Sequence, residues 1–207
     1  MKLTVVSAGT TSPSSTRLLA DRLTESLTQR LGDNGGEQPD VHVVELRDVA
    51  VDIAKNMVTG FPSPALQAEL DAVTGADGVI AVTPVYSASY SGLFKSFFDV
   101  IDSGALAGMP VIIGATGGTP RHSLALDHAL RPLLSYLRAT VMPTGVYAAS
   151  QDWGGEDTNE LHARIDRAAG ELAGAMAGTP RSRRAGDGFS DFVPFEQQLA
   201  NLGQLDV

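Results

Sequence analysis

Six of the nine positions from Ser7 to Ser15 in VVSAGTTSPSSTRLLADRL are serine or threonine. The run lies between a short apolar, β-branched stretch and a segment whose leucines recur at helical spacing. A helix N-terminus presents backbone N–H groups that have no intrahelical acceptor, and it carries a partial positive charge. Hydroxyls gathered there can complete an anion site through neutral hydrogen bonds, without a cluster of lysines. The anion such a site suits is a phosphate. Ser12, Ser14, Ser15 and Thr16 are the best-placed donors, and Arg17 adds a charge-assisted one. A single Ser or Thr before a helix is ordinarily its N-cap. One cap needs one residue, and here there is a crowd.

Two further stretches have residue types suited to a planar ligand. TPVYSASYSGLFKSFFD places Tyr86 and Tyr90 among small residues after Pro84. Small residues let a flat molecule approach the backbone, and a tyrosine offers an apolar wall with a polar tip. In ATGGTPRH, Thr116-Gly117-Gly118 can present backbone N–H groups to a heteroaromatic ring, although glycine pairs more often only turn the chain. Competing codes are missing. GATGGTPR (114–121) lacks the Lys-Ser/Thr ending of an ATP-type phosphate loop, and the first loop has no G-x-G-x-x-G. Nothing reads G-x-S-x-G. His42, His122, His128 and His162 show no recognised metal spacing, so no metal site is expected.

These stretches need a frame. LTVVSA (3–8), VHVVELRDV (41–49), GVIAVTPV (78–85), PVIIGATGG (110–118) and TVMPTGVYAA (140–149) read as strands, the last irregular around Pro143. Helical spacing predicts a helix carrying Leu18, Leu19, Leu23, Leu27 and Leu31, and another over Ala65 to Val73. A third, over 91–102, has Leu93, Phe94, Phe97, Phe98 and Ile101 on one face. A fourth runs over 123–139, where Pro132 should kink it or force a bulge. The fifth, over 157–178, opens with acidic residues, as a helix dipole favours. Strands alternating with helices make an α/β protein with a parallel sheet covered on both faces. Ligands of such sheets bind outside the carboxyl ends of the strands, where strand order reverses. The loops after the first, third and fourth strands therefore share one edge.

The totals narrow the function further. A chain of 207 residues suffices for one domain with a full core, read here as 1–178. The remaining 179–207 is Arg- and Gly-rich, then carries Phe192, Val193, Phe195, Leu199 and Leu202 as an apolar face. That face reads as a C-terminal arm, packed on its own domain or on a neighbouring subunit. A net charge of −9 argues against a nucleic-acid surface. The absence of cysteine removes disulfides and thiolate catalysis, and suits a cytoplasmic protein. No apolar run reaches the roughly 18 residues of a membrane span, and the opening is too poor for a secretory signal.

Taken in order, SPSSTRLLA, TPVYSASYSGLFKSFFDVID and GATGGTPRHSLALDHALRPLLSYLRA resemble the NADPH-dependent FMN reductase family. Within it, the likeness is to reductases that feed reduced flavin to two-component monooxygenases of the alkanesulfonate and luciferase-like kinds. The resemblance spans about residues 1–178. It implies a flavodoxin-like three-layer sandwich with a five-stranded parallel sheet in the order 2-1-3-4-5. Ser12, Ser14, Ser15 and Thr16, with Arg17 beside them, then fall on the FMN phosphate loop. Pro84, Val85, Tyr86, Ser87 and Ala88 fall on the loop lining the isoalloxazine, and Thr116, Gly117 and Gly118 on the loop meeting its pyrimidine end. FMN and either NADPH or NADH are the implied cofactors. The implied partners are a flavin-dependent monooxygenase and further copies of the chain, as a homodimer or homotetramer across the face carrying the third and fourth helices. In the sulfonate branch the helix matching LDHALRPLL contains a π-type bulge near a Tyr, where this sequence has His128.

The activity so implied is hydride transfer from nicotinamide to flavin N5, with reacting atoms about 3–3.5 Å apart, followed by release of reduced FMN. Backbone N–H groups near Gly117 and Gly118 would stabilise charge at flavin N1 and O2. No catalytic side-chain acid or base is expected. Arg17, Arg121 and His122 are candidates for the nicotinamide cofactor's phosphates or for a neighbouring subunit. Two alternatives stay open: a quinone, azo or chromate reductase that retains FMN, and a flavodoxin-like electron carrier. The carrier's aromatic sandwich is only partly available, since Trp153 lies outside the three loops.

Overall fold

Apolar runs such as LTVVS and GVIAVTPV offer both faces of a strand to a core, the pattern of a sheet buried on two sides. In the computed structural model, which describes residues 1–33, 38–154 and 158–178, they form its centre. β1 (Lys2–Ser7) is flanked by β2 (Asp40–Glu45) and β3 (Gly78–Tyr86), and β3 by β5 (Pro110–Gly117), all parallel. β6 (Thr140–Val141) and β7 (Val146–Ala149) both pair with β5. β4 (Ser89–Tyr90) folds back on β3 as a short antiparallel hairpin. The order β2-β1-β3-β5-β6, with β7 also beside β5, is the expected doubly wound arrangement of a flavodoxin-like sheet. The arm expected for 179–207 lies outside the described residues.

Alternate residues of each strand feed two cores. Leu3, Val5, Ile80, Val82 and Ile112 meet α1 (Ser15–Asp33) and α6 (Thr158–Ala177). Val6, Val79, Ala81, Val111 and Ile113 meet α2 (Ala50–Thr59), α3 (Pro64–Thr74), α4 (Gly92–Asp99) and α5 (Arg131–Tyr136). Phe94, Phe97 and Phe98 are at most 1% exposed, and each stabilises the second core by about 2–3 kcal/mol. Among the described residues no helix is long and apolar enough to cross a membrane.

Several elements differ from expectation, each for a local reason. The fifth strand is cut in two at Met142–Gly145, because Pro143 has no N–H to give a sheet. Side chains satisfy the interrupted backbone instead: Arg131 donates to the Met142 and Pro143 carbonyls at 2.9 and 3.0 Å, and Glu171 accepts from the Thr144 N–H at 2.8 Å. The second strand stops at Glu45, where Leu46 and Val49, three apart and both buried, turn it into a single 3-10 turn. α2 was not expected at all. Only Ile53 and Asn56 of it are buried; Val51, Ala54 and Val58 do recur at helical spacing, but that apolar stripe is exposed rather than turned to the core. Leu18 likewise lies on the outer face of α1.

The fourth helix carries the bulge. Leu126–Leu130 is a π turn closed by the Arg131 N–H on the Leu126 carbonyl, and Pro132 follows it. Pro132 cannot return a hydrogen bond to the His128 carbonyl, so the turn before it widens. The expected bulge is present, with His128 inside it.

Candidate active site

The three loops meet. A cavity of about 290 Å³ opens at the carboxyl edge of the sheet. Gly9, Thr10, Thr11, Ser14, Ser15 and Thr16 line it from the β1–α1 loop; Pro84, Val85 and Tyr86 line it from the end of β3. Thr116, Gly117 and Gly118 contribute from the end of β5, and Ser150 and Trp153 from the turn after β7. Ser12, Arg17, Ser87 and Ala88 are not on its wall.

In the first loop Gly9 is a packing requirement: a Cβ there would stand 2.1 Å from Ser14 Oγ. That close approach seats Ser14 as the N-cap of α1, its Oγ accepting from the Arg17 N–H at 3.2 Å. Ser15 and Thr16 follow in the first turn, where the helix itself supplies no acceptor for their N–H groups. Arg17 is spent elsewhere, its Nη1 on Glu45 and its Nε on Asp21, both at 2.7 Å. Those bonds, Glu45 first, hold its guanidinium above its ordinary value. Another cation reaches the loop instead: Arg47 Nη1 donates to the Thr11 carbonyl at 3.3 Å.

The second loop is a tight hairpin. Val85 faces Tyr90 and Tyr86 faces Ser89, leaving Ser87 and Ala88 as a two-residue turn with φ of 48° and 68°. That is the type I′ geometry usually reserved for Asn-Gly, here built from residues that pay a steric cost for it. Beneath the turn, buried Thr83 accepts from the Ser91 N–H at 3.0 Å and donates to the Pro84 carbonyl at 3.0 Å. Hydroxyl pairs join the loops: Thr10 to Tyr86 at 2.9 Å near the surface, and Thr16 to Thr116 at 2.8 Å in the buried floor.

The third loop is held from below. Buried Tyr147 donates its phenol proton to the Thr119 carbonyl at 2.8 Å. Burial pushes that phenol above its ordinary value, and the Asp152 carboxylate adds to the effect. A raised phenol keeps its proton, so this bond is intact below the ordinary tyrosine range and is lost only as pH climbs through the raised value. Asp152 in turn accepts from the Ala149 N–H at 2.8 Å, fixing the turn that places Trp153. The Arg22 guanidinium lies 5.0 Å from the Trp153 ring centre, bracing the ring from α1.

A family model described as NADPH-dependent FMN reductase matches residues 1–154. The chain belongs to the NADPH-dependent FMN reductase family. An FMN reductase (NADPH) of Pseudomonas aeruginosa is 41% identical over 179 residues, which cover 86% of this chain and 92% of that protein. An NADH-dependent FMN reductase, SfnF, of Pseudomonas fluorescens is 41% identical over 182 residues, covering 86% and 93%. The solved structure of an oxidoreductase from Corynebacterium diphtheriae superposes with a TM-score of 0.82 at 48% identity, covering 84% of this chain and 96% of that one.

The pocket of this FMN reductase family member fits the cofactor its family is named for. One end combines a helix start with four hydroxyl residues, Thr11, Ser14, Ser15 and Thr16. At the other, nothing lies within 4 Å of where a Gly118 Cβ would stand, so the backbone there is open to a flat ring. Tyr86 and Trp153 supply aromatic walls. Trp153, outside the three loops in the sequence, is thus brought to their pocket. Its only advance signal was position: a turn following a fifth parallel strand opens on the same sheet edge.

Proposed function

We propose that this chain catalyses the reduction of FMN by NADPH or NADH and releases reduced flavin to a partner monooxygenase. One observation carries the reading: a hydroxyl-rich helix start, a tyrosine hairpin and a Gly-Gly turn share a single pocket, in a chain of this family. When bound, FMN supplies the chemistry by accepting a hydride at N5. The protein's own work is to bind and to orient. Ser14, Ser15 and Thr16, with the first-turn N–H groups of α1, hold the phosphate through neutral bonds. The Gly117–Thr119 backbone offers N–H groups to the pyrimidine end, where reduction places negative charge. Tyr86 and Trp153 flank the ring and limit water. Transfer between two cofactors asks the protein for position and electrostatics rather than for a proton.

Flavin-stripped protein should oxidise NADPH or NADH only when FMN is added, with sequential initial-rate patterns. Ping-pong patterns with flavin retained would replace release by onward electron transfer. FMN binding without nicotinamide oxidation would leave a carrier. Trp153 is the single tryptophan of the chain, so quenching of its fluorescence reports flavin entry directly.

The same proposal includes a homo-oligomer. A groove of about 730 Å³ lies between α4 and the π-turn segment, lined in part by Tyr90, Phe98, His128, Pro132 and Tyr136. Tyr136 is 81% exposed, an unusual fraction for an aromatic ring on an apolar groove. A second copy covers this face. Tyr136→Asp should lower the molar mass seen by light scattering, since an unpaired carboxylate resists burial. A wild-type mass equal to one chain would sink the oligomer.

A further inference from the structure

Tyr147 is absent from the pocket wall, yet it controls the segment that forms one side of it. Its ring packs in the core beneath α2–α5, 3% exposed, and its Oη reaches to the Thr119 carbonyl. That reach passes against Gly117, where an added Cβ would meet Oη at 2.2 Å and Cζ at 3.2 Å. Thr119 Oγ1 accepts from the Arg121 N–H at 3.4 Å, so the far end of the turn is also tied. The segment Gly117–Thr119 is therefore gripped from the core side by one phenol, while Gly117 and Gly118 face the cavity.

We infer that Tyr147 is a positioning residue for the flavin ring: its bond to Thr119 fixes the direction in which the Gly117–Thr119 N–H groups point. The inference rests on the flavin reading of the pocket and adds to it a group that does not touch the ligand. Gly117 ends β5 beside Ala149, and Gly118 beyond it, with nothing within 4 Å of where its Cβ would stand, gives the turn wide conformational freedom. Backbone donors stabilise developing charge only when their orientation is set beforehand. Without the phenol, the turn keeps its sequence but loses that constraint.

Tyr147→Phe removes the bond and keeps the ring. Titrating FMN and riboflavin into the flavin-stripped full chain, read by Trp153 quenching, should show about tenfold weaker binding of both, as the loss of a buried hydrogen bond implies. Both should suffer because the turn meets the ring system they share. The midpoint potential of bound flavin should also move to more negative values, a change that a mere loss of stability does not produce. Gly117→Ala should mimic these effects by driving its Cβ into Oη, and it carries the test should Tyr147→Phe not fold. The double variant decides the mechanism. With Oη gone, the added methyl has its nearest contact at Cζ, so Tyr147→Phe/Gly117→Ala should bind no more weakly than Gly117→Ala alone. Independent, multiplying losses would overturn the inference, as would wild-type affinity and potential in Tyr147→Phe. If neither flavin quenches the wild-type protein, the flavin reading itself has failed and the inference falls with it.

Discussion

Replacing Ser14 and Ser15 together by alanine should weaken FMN by about a hundredfold and leave riboflavin within about twofold. Hydrogen bonds to a charged group contribute about 1.5–3 kcal/mol each, and two lost donors at the low end already reach about a hundredfold. Riboflavin has the same ring and ribityl chain without the phosphate, so it isolates the term. Ser14 has a second role that must be separated: its Oγ holds the Arg17 N–H at 3.2 Å. Losing that cap costs about 1 kcal/mol of stability, or about 2–4 °C in Tm for a chain of this size. Ser14→Asp is the control. Aspartate caps as well as serine does, so the fold should hold, but its carboxylate opposes a phosphate and FMN binding should drop further. Calorimetric titration of both flavins checks both variants. Equal losses for FMN and riboflavin would reduce the hydroxyl loop to a helix cap.

What could be read in advance followed from periodicity and from sheet topology. Leu19, Leu23, Leu27 and Leu31 repeat at helical spacing and all face the α1 core. The central strands are apolar on both faces, which only a doubly covered parallel sheet satisfies. Once that topology is granted, three loops must share an edge, and the pocket joins Ser14, Tyr86 and Gly117 as expected. The unread parts share a different origin. α2 has helical apolar spacing at Val51, Ala54 and Val58 but turns that face outward, so its pattern is the reverse of one that packs on a core. The hairpin at Ser87–Ala88 lacks the Asn-Gly signature, because Thr83 and Ser91 hold it where turn chemistry does not. Arg17 looked like a phosphate ligand by position. Its engagement with Glu45, 28 residues away, depends on β2 lying beside β1, which spacing along the chain does not express. Tyr147 reads as one more β-strand aromatic; only the register placing β7 against the end of β5 brings its hydroxyl under the third loop.

Thr83→Val should produce the largest loss of stability among these substitutions, about 2–3 kcal/mol, lowering Tm by about 6–9 °C. The volume hardly changes, so no cavity is created; the effect is that of one hydroxyl. Thr83 is fully buried, and its Oγ1 accepts the Ser91 N–H while donating to the Pro84 carbonyl. Valine leaves a buried N–H with no acceptor. Ser91 is itself the N-cap of α4, accepting from the Phe94 N–H at 3.2 Å, so disturbance at Ser91 passes into the helix that carries three core phenylalanines. On the other side lies the hairpin, whose ladder has only two residue pairs and whose turn holds two non-glycine residues at positive φ. Each such residue costs about 1–2 kcal/mol, and a two-pair ladder alone does not offset that. The hydroxyl of Thr83 is what closes the base. Its loss should speed hydrogen exchange at Ser89–Ser91 and loosen Tyr86 from Thr10. If, as proposed, the hairpin meets the ring rather than the phosphate, FMN and riboflavin should weaken alike, the opposite signature to the Ser14 and Ser15 pair. Thr83→Ser, which restores the hydroxyl, should recover most of the stability. A Thr83→Val protein melting within about 1 °C of wild type would mean that the strained turn is held by packing alone, and that the aromatic wall of the pocket does not depend on this bond.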